Sequence, residues 1–465
     1  MSARVFAATR HPYLREIGIS GAAALLVILV TFIVVSGGSQ VLVLTLVIVV
    51  GAGSVLAALV NRPVLLIAML VATSAGQRAI AASTLDATAL WLDDVVLLGI
   101  ALYAARKITG ASFAKTRITI FLLGGLLLVA LARAGNVGIG TTQLRQMAVP
   151  VVLVVFGMVL TKIELKQAIP IVVVAILIGA IYGVLEQTGW RPINPLGVLN
   201  LNQYAHSGSR EGLPNSYFYY FADGVRMERS GGLILNPPSF GMLAATGLLW
   251  TWLGAKKASI ARVSISAILA AAVFFSFGRG GFVIVALALF QPILTRRSGK
   301  LAFAVVAVAL GYIALSEFSS DGESGRHVDG FFGGLTYALT HPLGGGFGTA
   351  GNSLSRLGIE NESGANESLA AIFMASLGWA AILIVGWLLL KGVVRGGSLA
   401  GVALTSAVLV SLVSETAGGL DATGPLWILA GVALTPIAAN SEDESTGRSA
   451  KGILADSGEL PASRF

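Results

Sequence analysis

Residues 41–60 read Val-Leu-Val-Leu-Thr-Leu-Val-Ile-Val-Val-Gly-Ala-Gly-Ser-Val-Leu-Ala-Ala-Leu-Val, without a single charge. At 1.5 Å per residue such a run forms a helix about 30 Å long, the thickness of a bilayer's hydrocarbon core. Working outward, similar runs lie at about 17–35, 63–76, 91–105, 118–133, 147–161, 167–186, 238–254, 263–277, 281–295, 301–315, 367–390, 398–414 and 424–438. The runs at 63–76 and 91–105 are short enough to suit re-entrant or tilted helices. The composition agrees: of 465 residues 55% are hydrophobic and 12% charged, against roughly 45–50% and 25% in soluble domains. Mean hydropathy is +0.83. The expected fold is all-α, a polytopic integral membrane protein of about fourteen spans (12–14). It forms one transmembrane domain over 1–439 with a polar tail over 440–465. Soluble, disordered and nucleic-acid-binding classes are disfavoured. Cysteine is absent, which excludes disulfides, thiolate catalysis and Cys-based metal sites.

The basic residues orient the chain. With the N-terminus in the cytoplasm, alternation puts most of the 31 Lys and Arg inside, as the positive-inside rule requires. Both termini are then cytoplasmic. The basic N-terminal stretch leads into a full-length run with no small-residue cleavage site, so it reads as a first span and not as a signal peptide. Every Lys falls inside. The outside basic residues are all Arg: Arg78, Arg133, Arg145, Arg191, Arg210, Arg226, Arg229, Arg279, Arg326 and Arg356. Arginine grips phosphate and carboxylate with a planar fork, so this face suits an anionic ligand such as a diphosphate. GC-rich coding is the plainer explanation.

Two connections are long, 187–237 and 316–366, and both fall outside. The first carries five consecutive aromatics, Tyr217-Phe218-Tyr219-Tyr220-Phe221, which suit headgroup anchoring or sugar stacking. The second holds several acids, His327, His341 and Gly344-Gly345-Gly346, where bare backbone permits close approach.

Three segments carry a pattern. The first is Arg229-Ser230-Gly231-Gly232, continuing to Asn236-Pro237-Pro238-Ser239. The second is Ser276-Phe277-Gly278-Arg279-Gly280-Gly281. The third runs from His341-Pro342-Leu343-Gly344-Gly345-Gly346-Phe347-Gly348 through Asn366-Glu367-Ser368-Leu369 to Leu377-Gly378-Trp379. In order and spacing over about 140–390, they resemble the O-antigen ligase and polymerase family of bacterial envelope glycosyltransferases. Arg145, just before the sixth run, resembles a further basic position of that family. The resemblance implies a GT-C-like fold in the bacterial inner membrane, with its active face extracytoplasmic. It also implies a donor glycan on polyprenyl diphosphate, such as undecaprenyl diphosphate. The acceptor is another lipid-linked repeat unit in a polymerase and lipid A-core in a ligase. No cofactor, metal or nucleic acid is implied. A chain-length regulator and a flippase are the protein partners it leaves room for.

Transfer from a glycosyl diphosphate needs cations at the departing diphosphate and a base for the acceptor hydroxyl. Arg279, a charge between two apolar runs, is the first candidate for the cation; the alternative is an interfacial arginine that snorkels. Arg145, Arg229 and Arg326 follow as substrate-binding candidates. The alternative for Arg229 is an ion pair with Glu228, and for Arg145 an ordinary span-ending role. Ligases of the family carry His-Asn where this chain has Ala365-Asn366. The missing His moves the expectation from ligase toward polymerase. It leaves Glu367 as the candidate base, or else as a helix N-terminal acid. Asn366, Asn236 and His341 are further candidates for binding glycan, His341 also for base; His327 and His206 rank lower. Ser239 is expected to cap the helix after the two prolines. Asp93 and Asp94 are read as helix N-terminal acids or as a cation pair.

Of the other classes, a lipid-linked oligosaccharide flippase or other transporter would place its charges at mid-span. Here the charges are expected at span ends and in the two loops. No phosphate-binding P-loop and no His-Glu-x-x-His zinc motif occurs.

Overall fold

In the computed structural model the described residues are 40–109, 113–201, 208–220, 225–255, 257–291, 325–351, 354, 361, 363–364 and 367–435. The runs at 17–35 and 301–315 and the tail lie outside them. The architecture is a helical bundle. Its helices are α1 (Gln40–Leu59), α2 (Pro63–Thr84), α3 (Leu92–Lys107), α4 (Ala114–Ala132), α5 (Val137–Val159), α6 (Lys162–Glu186), α7 (Pro237–Trp252), α8 (Ile260–Ser276), α9 (Arg279–Phe290), α10 (Gly325–Thr340), α11 (Leu369–Leu377), α12 (Trp379–Val394), α13 (Leu399–Val413) and α14 (Leu420–Leu434). Five segments are long and apolar enough to cross a membrane: α1, α2, α3 with its preceding turn, α5 and α6. α4, α8, α9 and α12–α14 are apolar but shorter.

α14 is the axis. It packs on α2, α5, α7 and α13, and from Leu420 to Gly431 every residue is buried. A helix apolar on every face beyond its first turn belongs in such a position, and the Asp421 carboxylate in that turn is paired with Arg78. α5 and α14 meet at Gly157 and Gly431, where a Cβ would strike the partner's backbone; small residues let membrane helices approach. At the rim, α12 exposes Trp379, Leu383, Trp387, Leu390 and Val394.

Three boundaries differ from the sequence reading. The run at 63–76 extends to Thr84 and is a full-length helix. The sixth run begins at Val137 because Asn136 caps that helix, its side chain accepting from Ile139 N at 3.1 Å; Arg145 is thus inside α5, not before it. The run at 367–390 is two helices. Gly378, at φ 62° and ψ −135°, breaks it, and only glycine takes that backbone readily.

The long first connection is not all loop. β1 (Ser209–Arg210) and β2 (Leu213–Pro214) form a hairpin, as do β3 (Phe218–Tyr220) and β4 (Arg226–Glu228). Glu211 and Gly212, both at positive φ, close the first hairpin in the tight form that matches strand twist. These two small sheets qualify an otherwise all-α fold. Tyr217 and Phe218 are buried, which corrects the expectation of an aromatic run facing headgroups; Phe221 lies outside the described residues.

Candidate functional site

Contacts between helix ends separate the described basic residues into two sets: Arg106 donates to Ala58 O and Leu59 O, Tyr103 reaches Glu164, and Thr435 Oγ1 reaches Met158 O. Lys107, Lys162, Lys166, Lys257 and Lys391 sit at one end with Arg62, Arg106, Arg117, Arg262 and Arg395. The other end has arginine alone. A cavity of about 260 Å³, lined by Ala58, Asn61, Tyr103, Arg106 and Lys107, opens at the lysine end, away from the motifs.

The three motif segments meet at the arginine end. Ser230 N donates to Phe275 O at 2.9 Å, which joins the first motif to the second. Gly281 lies against the backbone of Gly241, so α7 and α9 start side by side. Gly280 faces Val410, and Ser368 Oγ donates to Ser411 O at 3.2 Å. The Arg279 turn and the start of α11 therefore flank one end of α13. The glycine loop is clamped as well. Gly345 and Gly346 donate to Ala375 O and Ser376 O, Phe347 to Ala130 O, and Trp379 to Pro342 O. Arg133 adds two 2.8 Å bonds to Leu343 O and Gly344 O. Gln143 accepts from Gly348 N at 2.7 Å and donates to Ala350 O.

Arg229 and Arg279 come together. Their guanidinium carbons lie 5.8 and 5.7 Å from the centre of the same ring, Tyr219, within cation–π range. That ring also packs on Phe277, centroids 5.9 Å apart. Arg229 Nη2 donates to Ser216 O. Glu228, its sequence neighbour, is paired with Arg191.

Arg145 is placed differently. Its Nε is 2.6 Å from Asp94 Oδ1 and its Nη2 3.6 Å from Asp93 Oδ1. Gln77 holds Asp93 in turn, donating at 2.6 Å. Nearby, Arg78 reaches Asp421 at 2.7 Å, both largely buried. Two arginines and three aspartates thus tie α2, α3, α5 and α14. This overturns the expectation of charges only at span ends and in loops: Arg78 and Arg145 lie within helices.

The remaining candidates are more local. Asn236 caps α7, its Oδ1 accepting from Ser239 N at 3.3 Å. That task was expected of Ser239, whose buried hydroxyl has no partner among the described residues. Glu367 sits one residue before Ser368, the true cap of α11, at φ 55° and partly exposed; it is not in the helix's first turn. His341 is exposed, its ring stacked on Tyr337 at 4.0 Å and its Nδ1 near Thr340 Oγ1 and Tyr337 O. Arg326 is on α10, but its side chain, like all of Asn366, lies outside the described residues, as do the His206 and His327 side chains. No group of three or more His, Asp or Glu suits a metal ion among the described residues.

Outside the membrane-spanning segments two titrations are displaced. Two 2.6 Å bonds from Arg226 hold Glu211 below the usual carboxylate range. Burial pushes Tyr217 well up, reinforced by Glu186. The sequence reading counted Arg78 among the outside arginines but missed its pairing with Asp421, and it missed Glu186 and the role of Tyr219. Arg78 and Asp421 were visible as charges inside apolar stretches. Comparison with protein-family models, curated proteins and solved structures returned no match for this chain.

Proposed function

We propose that the chain is a metal-independent membrane glycosyltransferase of the polymerase and ligase type. It takes a glycan from a polyprenyl-diphosphate carrier and passes it to an acceptor sugar hydroxyl. The observation that carries this reading is the meeting of Arg229 and Arg279 over Tyr219, at the end of the bundle where all three motif segments converge. A departing diphosphate gains negative charge as the glycosidic C–O bond breaks. Guanidiniums fixed beforehand stabilise that charge without reorganising. Glu367, beside the cap of α11 and across the end of α13 from the Arg279 turn, is the carboxylate placed to take the acceptor's proton. Polymerisation is favoured over ligation because Ala365 stands where the ligase has His.

The test is transfer by purified protein given polyprenyl-diphosphate-linked repeat units, with products sized on a gel. Wild type lengthens the glycan, and Arg279→Ala slows it by about 10²–10³-fold, the usual cost of one lost oxyanion donor. Elongation unaffected by Arg279→Ala removes the reading. Product formed only on lipid A-core makes the enzyme a ligase.

A second reading, a lipid-linked oligosaccharide transporter, is favoured by the Arg78–Asp421 and Arg145–Asp93–Asp94 pairs. Charges within helices line pathways in transporters. Movement of the lipid-linked glycan across a vesicle bilayer, with its length unchanged, is the result that selects it.

A further inference from the structure

Glu186, the last residue of α6, is fully buried. Its Oε2 lies 2.7 Å from Ser230 Oγ and receives Gly231 N at 3.0 Å and Gly232 N at 2.7 Å. Ser230 Oγ also lies 2.6 Å from Gly183 O, one turn back on α6. A carboxylate at the end of an apolar helix is costly to bury, and consecutive donors are what make such burial tolerable. The partners are not incidental. They are the three residues that follow Arg229 in the first motif.

We infer that Glu186 is the positioning residue of the donor site: it fixes the Ser230-Gly231-Gly232 turn and thereby aims Arg229 at the diphosphate. The turn leaves little freedom for another arrangement. A Cβ on Gly231 would strike Tyr217 Oη, and one on Gly232, at φ 54°, would meet the Phe240 ring at 2.6 Å. Both glycines therefore present bare amides to the carboxylate. On the near side of the turn Arg229 N donates to Tyr217 O at 2.7 Å, and Ser230 N reaches Phe275 O. Phe275 precedes the Phe277-Gly278-Arg279 turn by two residues. Glu186 thus sets the turn that carries Arg229 and, through Ser230, its register against Arg279. It touches neither substrate nor reacting atom, so it is not a catalytic residue.

Arg229 serves catalysis only if the chain transfers glycans, so this role of Glu186 rests on that reading. Two experiments separate the two ideas. In the transfer assay, Glu186→Ala should raise KM for the polyprenyl-diphosphate donor at least tenfold and lower kcat as well, because Arg229 meets both the bound diphosphate and the charge it gains. Glu186→Gln, which keeps an acceptor for the amides, should recover most of the loss. Adding Glu186→Ala to Arg229→Ala should cost nothing more, because both remove the same contact. A purely structural residue would lower the yield of folded protein, leave KM unchanged and add to Arg229→Ala; that outcome overturns the inference. The second experiment needs no activity. The chain has no cysteine, so Arg229→Cys gives a single thiol. Its labelling by a charged, membrane-impermeant maleimide should speed up at least tenfold when Glu186→Ala is added, or Glu186→Gln to a smaller degree if the alanine variant does not fold. An unchanged rate refutes the positioning role whether or not the chain transfers glycans. Faster labelling in a protein without transfer activity keeps the role and removes only the proposed reaction.

Discussion

Asp421→Ala tests the core of the bundle. The carboxylate is buried in the first turn of α14, 2.7 Å from Arg78 on α2. Removing one partner of a buried ion pair strands the other charge and costs about 3–5 kcal/mol. Arg78 has further contacts, which places the expected loss at the lower end. Unfolding entropy of about 2.1 cal/mol/K per residue, over 465 residues, comes to about 1 kcal/mol/K. The melting temperature should therefore fall by about 3 °C. In detergent the unfolded helices keep their backbone hydrogen bonds, so the entropy is smaller and the fall is at least this large. The assay is thermal unfolding of purified protein followed by tryptophan fluorescence. A companion variant sharpens it. Arg78→Met with Asp421→Leu removes both charges and their desolvation, and should melt within 1–2 °C of wild type or above it, since apolar replacement of a buried pair is often neutral or favourable. If Asp421→Ala melts with wild type, or the double variant melts below the single, the pair does not hold α2 to α14 in the way described.

Gly378→Ala should lower the melting temperature further and abolish transfer, because the new Cβ meets Pro342 O and Gly344 N at a backbone conformation that costs about 1–3 kcal/mol; unfolding and gel assays check both. Glu211 contributes to the first hairpin at neutral pH. Its folded pKa is depressed from the ordinary 4.5, so its contribution is complete above that value and is lost as pH falls through the lower one. A carbon-13 titration of the Glu211 carboxyl should therefore give a midpoint below 4.5 in wild type and a return toward 4.5 in Arg226→Ala, and a midpoint unmoved by Arg226→Ala argues against the clamp. Tyr217 runs the opposite way: its raised pKa means that its stabilising neutral form persists past pH 10 and is lost as pH rises through the folded value. Tyr217→Phe should remove a late-ionising step from an absorbance titration at 295 nm and change stability by less than about 1 kcal/mol, since its hydroxyl has no hydrogen-bond partner among the described residues.

The membrane-spanning character was legible because hydropathy integrates over twenty residues and needs no tertiary information. Arg229 and Arg279 were named as candidates from resemblance and charge, and that both lie over the Tyr219 ring is visible only in the structure. What escaped was longer-range or backbone-encoded. Residues 137–146 look like polar loop, with Thr141, Thr142 and Gln143 together. They are helix because Asn136 caps them and Gln143 is used by the glycine loop some two hundred positions on. The break at Gly378 depends on a dihedral angle, to which hydropathy is blind. Glu186 reads as the polar end of an apolar run, and its three donors arrive more than forty residues later. Asp421 and Arg78 are each odd in their own helix, but only the packing of α2 on α14 shows that they answer one another.

The helices are unequal in length, and a bilayer responds to that. α1, α2, α5 and α6 have 20 to 25 residues, about 30–38 Å at 1.5 Å each. α7, α8 and α13 have 15 to 17, about 22–26 Å, and α9 packs on all three. Lipid beside the shorter helices would thin, or flanking side chains snorkel, at a cost of fractions of a kcal/mol per Å of mismatch. Arg279 opens α9 against two of these helices, α7 and α13. If the chain handles a lipid-borne phosphate as proposed, thinning on that flank would bring the headgroup plane toward the guanidinium, with less of the lipid's tail drawn out of the oil.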